Sequence, residues 1–98
     1  MLRLKFKKIK AGTKYIQALA MTLSSQNLVL LRGEKGYVMC GYLNLKVANK
    51  FKDVAAKIIG VSTIEDALKA KVASCTYPAL KIGIHKGQPI KDVLKIIA

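Results

Sequence analysis

The sequence predicts an α+β fold: a mainly antiparallel sheet of four to five strands with three to four helices packed on it. Strand-like patterns, alternating or in short apolar blocks, dominate the first half of the chain, and helix-like patterns with start and stop signals dominate the second. The 98 residues form one domain, 1–98, long enough to bury a core without disulfides or a metal.

In the first strand Leu2, Leu4 and Phe6 alternate with Arg3, Lys5 and Lys7, as in a half-buried strand with a basic outer face. Lys8 breaks the alternation and suggests a bulge. Gly12 marks a turn, and residues 15–23 read as a second strand, apolar on nearly both faces. The aliphatic run 28–32 suits a central strand, and "GEKG" at 33–36 leads into its hairpin partner at 37–42. Asn44 is an N-cap candidate. Two readings fit the residues that follow: one long amphipathic helix through Val47, Phe51, Val54, Ala55 and Ile58, or a helix that stops near 52–53 with a strand in "VAAKII". Ser62 and Glu65 form an S-x-x-E capping box. Residues 72–75 suit a short strand. Pro78 opens a short helix that Gly83 stops, and Pro89 opens the last helix, where Ile90, Val93, Leu94 and Ile97 form a core-facing stripe.

Charge limits the partners. Eighteen Lys and Arg against five Asp and Glu give +13, and only Arg3 and Arg32 are arginine. Such a surface favours nucleic acid or other polyanions, and it also keeps an apolar chain in solution. Lysine meets phosphate as a point charge, so weak, sequence-indifferent binding is expected, with Arg3, Lys5 and Lys7 as anion contacts. The hydrophobic content of 52% and mean hydropathy of +0.26 are high for a small domain, which predicts a homo-oligomer. No apolar run approaches the roughly 20 residues of a membrane span, and the basic N-terminus lacks the apolar core of a signal peptide. The expectation is a cytoplasmic protein, not bound to membranes, with Cys40 and Cys75 as free thiols.

Chemistry is sparsely represented. Two cysteines 35 positions apart and one histidine do not make a zinc site, and no cofactor motif is present, so neither metal nor cofactor is expected. The stretch "GYVMCGYL" at 36–43 carries the one candidate nucleophile, Cys40. It lies just before a helix N-terminus, where a thiol pKa can fall, and His85 is the one available histidine base. The opposing reading is a small apolar residue in a strand covered on two sides. Gly36 then supplies a positive φ in the hairpin loop, and Gly41 a bend or close packing. Tyr15, Tyr37 and Tyr42 beside the basic face of the first strand could serve as stacking rings, or sit at core edges with wet hydroxyls.

"NLVLLRGEKGYVMCGYLN", then "GV" before "TIEDAL" and "AKV", resembles the YunC-like domain-of-unknown-function family over about residues 27–72, most closely across 36–43. Gly83 and Gly87 match family glycines, while residues 1–26 carry little of the pattern. The family has a glycine near the position of Lys52, which implies that the helix ends there and a strand follows. The resemblance implies a compact α/β-type single domain, and it transfers no activity, substrate or catalytic residue. The functional expectation is a non-enzymatic binding or assembly module with non-specific affinity for anions and nucleic acid. Its alternative is a small thiol-dependent enzyme using Cys40 and His85.

Overall fold

The computed structural model of the chain describes residues 3–98, so Leu2, read as the first apolar position of the first strand, lies outside the described residues. Leu4–Ala11 forms β1 and Lys14–Thr22 forms β2. Their two-residue turn places Gly12 at φ +67°, a conformation open to glycine because it has no Cβ. The register runs unbroken from Leu4 opposite Met21 to Ala11 opposite Lys14. Lys8 therefore makes no bulge; it pairs with Gln17 and follows Leu4 and Phe6 on the same face.

β3 (Asn27–Arg32) and β4 (Tyr37–Met39) extend the antiparallel meander. β4 is shorter than the sequence suggests, because the chain turns after Cys40 and the Leu43 N–H closes on the Cys40 carbonyl at 3.0 Å. Asn44 then caps α1 (Leu45–Lys50), its Oδ1 accepting from the Val47 N–H at 3.2 Å. The helix ends in a Schellman arrangement. Lys52 N–H donates to Asn49 O at 3.0 Å and Asp53 N–H to Ala48 O at 2.9 Å, with Lys52 at φ +59°. Of the two readings for this stretch, the stopped helix is correct, and β5 (Ala55–Lys57) follows it, parallel to β4.

α2 (Ile64–Lys69) starts one residue later than the S-x-x-E box implied. Thr63 is its N-cap, accepting from Asp66 N–H at 3.0 Å, while the Asp66 carboxylate accepts from the backbone N–H of Ser62 at 3.2 Å. Thr63 and Asp66 thus take the two capping positions, with the Asp66 carboxylate reaching one residue further back to Ser62. β6 (Ser74–Cys75) pairs with β5, α3 (Tyr77–Lys81) holds Pro78 in its first turn, and α4 (Ile90–Ile97) follows Pro89. The sheet has six strands in the order β1-β2-β3-β4-β5-β6, one more than expected because both short stretches, 55–57 and 74–75, find partners.

Alternation along the strands assigns the two faces. One face carries Ile16, Ala18, Val29, Leu31, Val38 and Ala56, all fully buried in one cluster with Ile64 and Ala67 of α2, Ala79 of α3, and Ile90, Val93, Leu94 and Ile97 of α4. The α4 stripe read from the sequence supplies four of these contacts. On the other face α1 covers only the β4–β5 end, where Leu43, Ala48 and Ala55 pack with Tyr37 and Met39. Among the described residues no helix lies over the same face of β1, β2 and β3.

Two short-range contacts hold these layers. The Thr76 hydroxyl, fully buried, donates to Asp53 O at 2.6 Å and accepts from Ala55 N–H at 3.1 Å, tying the entry of β5 to the cap of α3. The loop between β3 and β4 docks on the end of α4, with Lys35 N–H donating to Ile97 O at 2.8 Å. Gly36 does not sit at positive φ as the sequence suggested. It is required because the Val54 carbonyl lies where a Cβ would stand, at 2.5 Å. Gly41 has open space around its Cα and neither a positive φ nor a close neighbour, so it is not a packing glycine.

Candidate functional site

Cys40 directly follows β4, packs with the core on the helix-covered face and is 3% exposed. Its sulfur accepts from Val29 N–H at 3.3 Å, and its S–H points toward Asn27 O at 3.9 Å. Both capacities of the thiol are engaged by the β3 backbone, where it substitutes for a missing ladder partner. His85 is exposed in the loop between α3 and α4, and its Nδ1 lies 3.1 Å from Lys86 O. That loop packs along residues 72–75, with Gly87 N–H on Val72 O and the Cys75 thiol near Ile84 O. β5 therefore stands between the strand of Cys40 and the region of His85, and neither side chain is hydrogen-bonded to the other. Cys75 is partly buried, which pushes its thiol up from the ordinary value. Among the described residues no group of three or more His, Cys, Asp or Glu side chains could hold a metal ion.

Arg3, Lys5 and Lys7 are exposed and share the helix-side face of β1, where Lys5 opposes Ala20 and Lys7 opposes Ala18. Arg3 and Lys5 line a cleft of about 130 Å³ with Thr22, Asn27 and the start of α2 at Ser62–Ile64. Lys7 lies outside it. Asp66 reaches into the same corner through its bonds to the Ser62 backbone and hydroxyl, and the Ser62 backbone hydrogen bond holds its carboxyl below the usual range.

The opposite face of the same strands is organised in rows across the sheet. Leu4, Met21 and Leu28 form the first row, and Phe6, Leu19 and Leu30 the second, which runs on beneath α1 at Met39. Leu4 is 66% and Phe6 62% exposed, so the apolar side of the β1 alternation is bare rather than half-buried. The third row is polar: Lys8, Gln17, Arg32 and Tyr37. The Arg32 guanidinium donates to Gln17 Oε1, which extends the charge over the sheet. Beyond it Lys10 stands opposite Tyr15, whose ring is 59% exposed. Tyr15 and Tyr37 thus share a face with Lys8 and Lys10, while Arg3, Lys5 and Lys7 project from the other side. Tyr42 is in the turn after β4. The tyrosines and the basic triplet singled out from the sequence are therefore not brought together. The cations that do join the tyrosines were missed, although Lys8 and Lys10 continue the Leu4–Phe6 period and could have been assigned to that face. Among the described residues one ion pair forms, Lys14 with Glu34 at 3.4 Å, so most of the positive charge is left without a carboxylate partner.

A short β-sheet closed on one face by α2 and α4, with a parallel β4–α1–β5 step, defines a small α+β protein whose distinctive surface is an open sheet face. The DUF1805 family, a domain of unknown function, matches residues 39–97. The chain is 35% identical over 81 residues to the uncharacterized protein YunC of Bacillus subtilis, a match that spans 79% of this chain and 80% of that protein. A crystal structure of a protein of unknown function, TA1206 from Thermoplasma acidophilum, superposes with a TM-score of 0.95 at 35% identity, covering 99% of this chain and 95% of the other. The chain belongs to the YunC-like DUF1805 family. The family match lies further toward the C-terminus than the residues that carried the resemblance. Among the described residues no helix is long and apolar enough to cross a membrane.

Proposed function

We propose that this protein is a non-enzymatic assembly and binding module that self-associates and offers a lysine-rich surface to polyanions. The observation that carries the reading is the open face of β1–β3, where two apolar rows adjoin a row bearing Lys8 and Arg32 beside the exposed ring of Tyr15. Apolar area of this kind marks an interaction surface, and unpaired cations beside an aromatic ring suit a phosphate backbone with sequence-tolerant stacking. Arg3, Lys5 and Lys7 add charge on the other side of β1. The thiol-enzyme alternative would rest on Cys40 with His85. The burial of Cys40 and its two backbone hydrogen bonds support the non-enzymatic reading. The free thiols of Cys40 and Cys75 accord with a cytoplasmic location.

The test is fluorescence anisotropy with a labelled single-stranded oligonucleotide and with heparin. Binding should be detectable at low salt, indifferent to base sequence, and fall linearly on a log–log plot with a slope of about −0.7 per neutralised phosphate. Lys8→Glu with Arg32→Glu should weaken it more than Lys91→Glu with Lys95→Glu on α4. Absence of binding at low salt would reduce the charge to a solubility device.

A further inference from the structure

We infer that a second copy of this chain covers the open face of β1–β3, in an isologous contact centred on Leu4, Phe6, Leu19, Met21, Leu28 and Leu30; the inference rests on the assembly reading above and assigns its surface. The exposed area sets the scale of the contact. The chain exposes 6282 Å². A monomer of 10.7 kDa is expected to expose roughly 5,500 Å², so the excess is about 800 Å². One partner in a standard stable interface buries about 800 Å². The excess is thus what one contact with one partner removes.

The chemistry of the face points to a copy of itself. The six central residues carry no charge, so the patch is self-complementary and a two-fold axis through it sets apolar rows against apolar rows. An acidic partner would instead require cations at the centre, and these lie at the margin, at Lys8 and Arg32. The geometry also limits the contact. α1 projects from the same face over β4 and β5, so a partner sheet meets only β1–β3. The product would be four layers, with helices α2 and α4 outermost on each side and two sheets about 10 Å apart between them. The alternation of β1 then has its usual meaning: Leu4 and Phe6 are interior residues of the pair.

Sedimentation equilibrium of the full chain across micromolar concentrations tests this. The expected mass is that of an oligomer, at least twice 10.7 kDa. Association should tighten as salt rises, because each copy carries +13 and screening relieves their repulsion while the apolar contact is unaffected. Phe6→Glu should return the protein to the monomer mass with an unchanged circular dichroism spectrum. Tyr77→Glu, at an equally exposed aromatic on α3, should leave it associated. Should Phe6→Glu fail to fold, peroxide oxidation of Met21 in the unmodified protein should slow as protein concentration rises. A strictly monomeric wild type would overturn both the assembly reading and this inference. An oligomer in which Phe6→Glu changes nothing, or in which Met21 oxidation is independent of concentration, would overturn the assignment to this face alone. Association only with an acidic protein, lost as salt rises, would also overturn it.

Discussion

The Tyr37 hydroxyl donates a 2.8 Å hydrogen bond to Asp53 Oδ2, joining β4 to the residue that follows the Schellman turn of α1. Burial, then the hydrogen bond to Asp53 and the charge of its carboxylate, push the phenol up from 10.0 to about 12. The folded state therefore favours neutral tyrosine more than the unfolded state does. The stabilisation is fully present below pH 10 and is lost as pH rises through about 12. The measurement is a difference between two proteins that differ in this hydroxyl alone. The stability gap between wild type and Tyr37→Phe, from urea midpoints, should be about 1 kcal/mol near neutral pH and shrink or reverse toward pH 12. A gap independent of pH would show that the bond to Asp53 does not couple to folding.

Lys52 holds φ +59°, alone among the described non-glycine residues. A side chain in this region crowds its own backbone, a cost of about 1–2 kcal/mol that glycine avoids, against the larger chain entropy glycine loses on folding. Lys52→Gly should raise stability by up to about 1 kcal/mol, seen as a higher urea midpoint at unchanged slope. Lys52→Ala should change little, because alanine keeps the Cβ that causes the strain.

Gly33 lies against the last turn of α4, and the Ile97 carbonyl occupies the place a Cβ would take. Gly33→Ala must push the β3–β4 loop off the helix end and break the Lys35–Ile97 hydrogen bond, at a cost of about 2–4 kcal/mol. Gly41→Ala meets nothing and should fall within about 0.5 kcal/mol of wild type. Thermal unfolding of the two variants side by side checks both statements.

Removing the Cys40 sulfur leaves the buried Val29 N–H without its partner. Cys40→Ala should therefore cost about 1–3 kcal/mol, more than its lost volume alone implies. Iodoacetamide near pH 7 should modify Cys75 before Cys40 in the folded protein, and both at similar rates in urea. Rapid, selective alkylation of folded Cys40 would revive the thiol-enzyme reading.

Much of the fold was legible because it rests on local signals. Gly12 marked the first turn, Asn44 the start of α1, and the spacing of Ile90, Val93, Leu94 and Ile97 the buried side of α4. Each follows from backbone conformation or helical period, which neighbouring residues settle among themselves. The stretch 51–58 was not legible from its period, since Phe51, Val54, Ala55 and Ile58 fit a helix and a strand alike. Parallel pairing with β4, whose residues lie far earlier in the chain, decided it. Thr76 and Gly33 were invisible for the same reason: the groups that make them matter, Asp53 O and Ile97 O, are distant in sequence.

The sequence by itself determined an α+β chain with an apolar excess, a net charge of +13, and no close grouping of metal-binding or catalytic residue types. It also determined that Leu4 and Phe6 lie on the opposite side of β1 from Arg3, Lys5 and Lys7. Which of these sides the fold covers was decided only by the tertiary structure. α2 and α4 pack over the face of Ile16, Ala18, Val29 and Leu31, and α1 shields β4 and β5 alone, so Leu4 and Phe6 stay exposed and Tyr15 is set beside Lys10 rather than beside Arg3 or Lys5. The physical reason is that alternation fixes two faces relative to each other, while the choice of the buried face belongs to helices joined to the sheet much later in the chain.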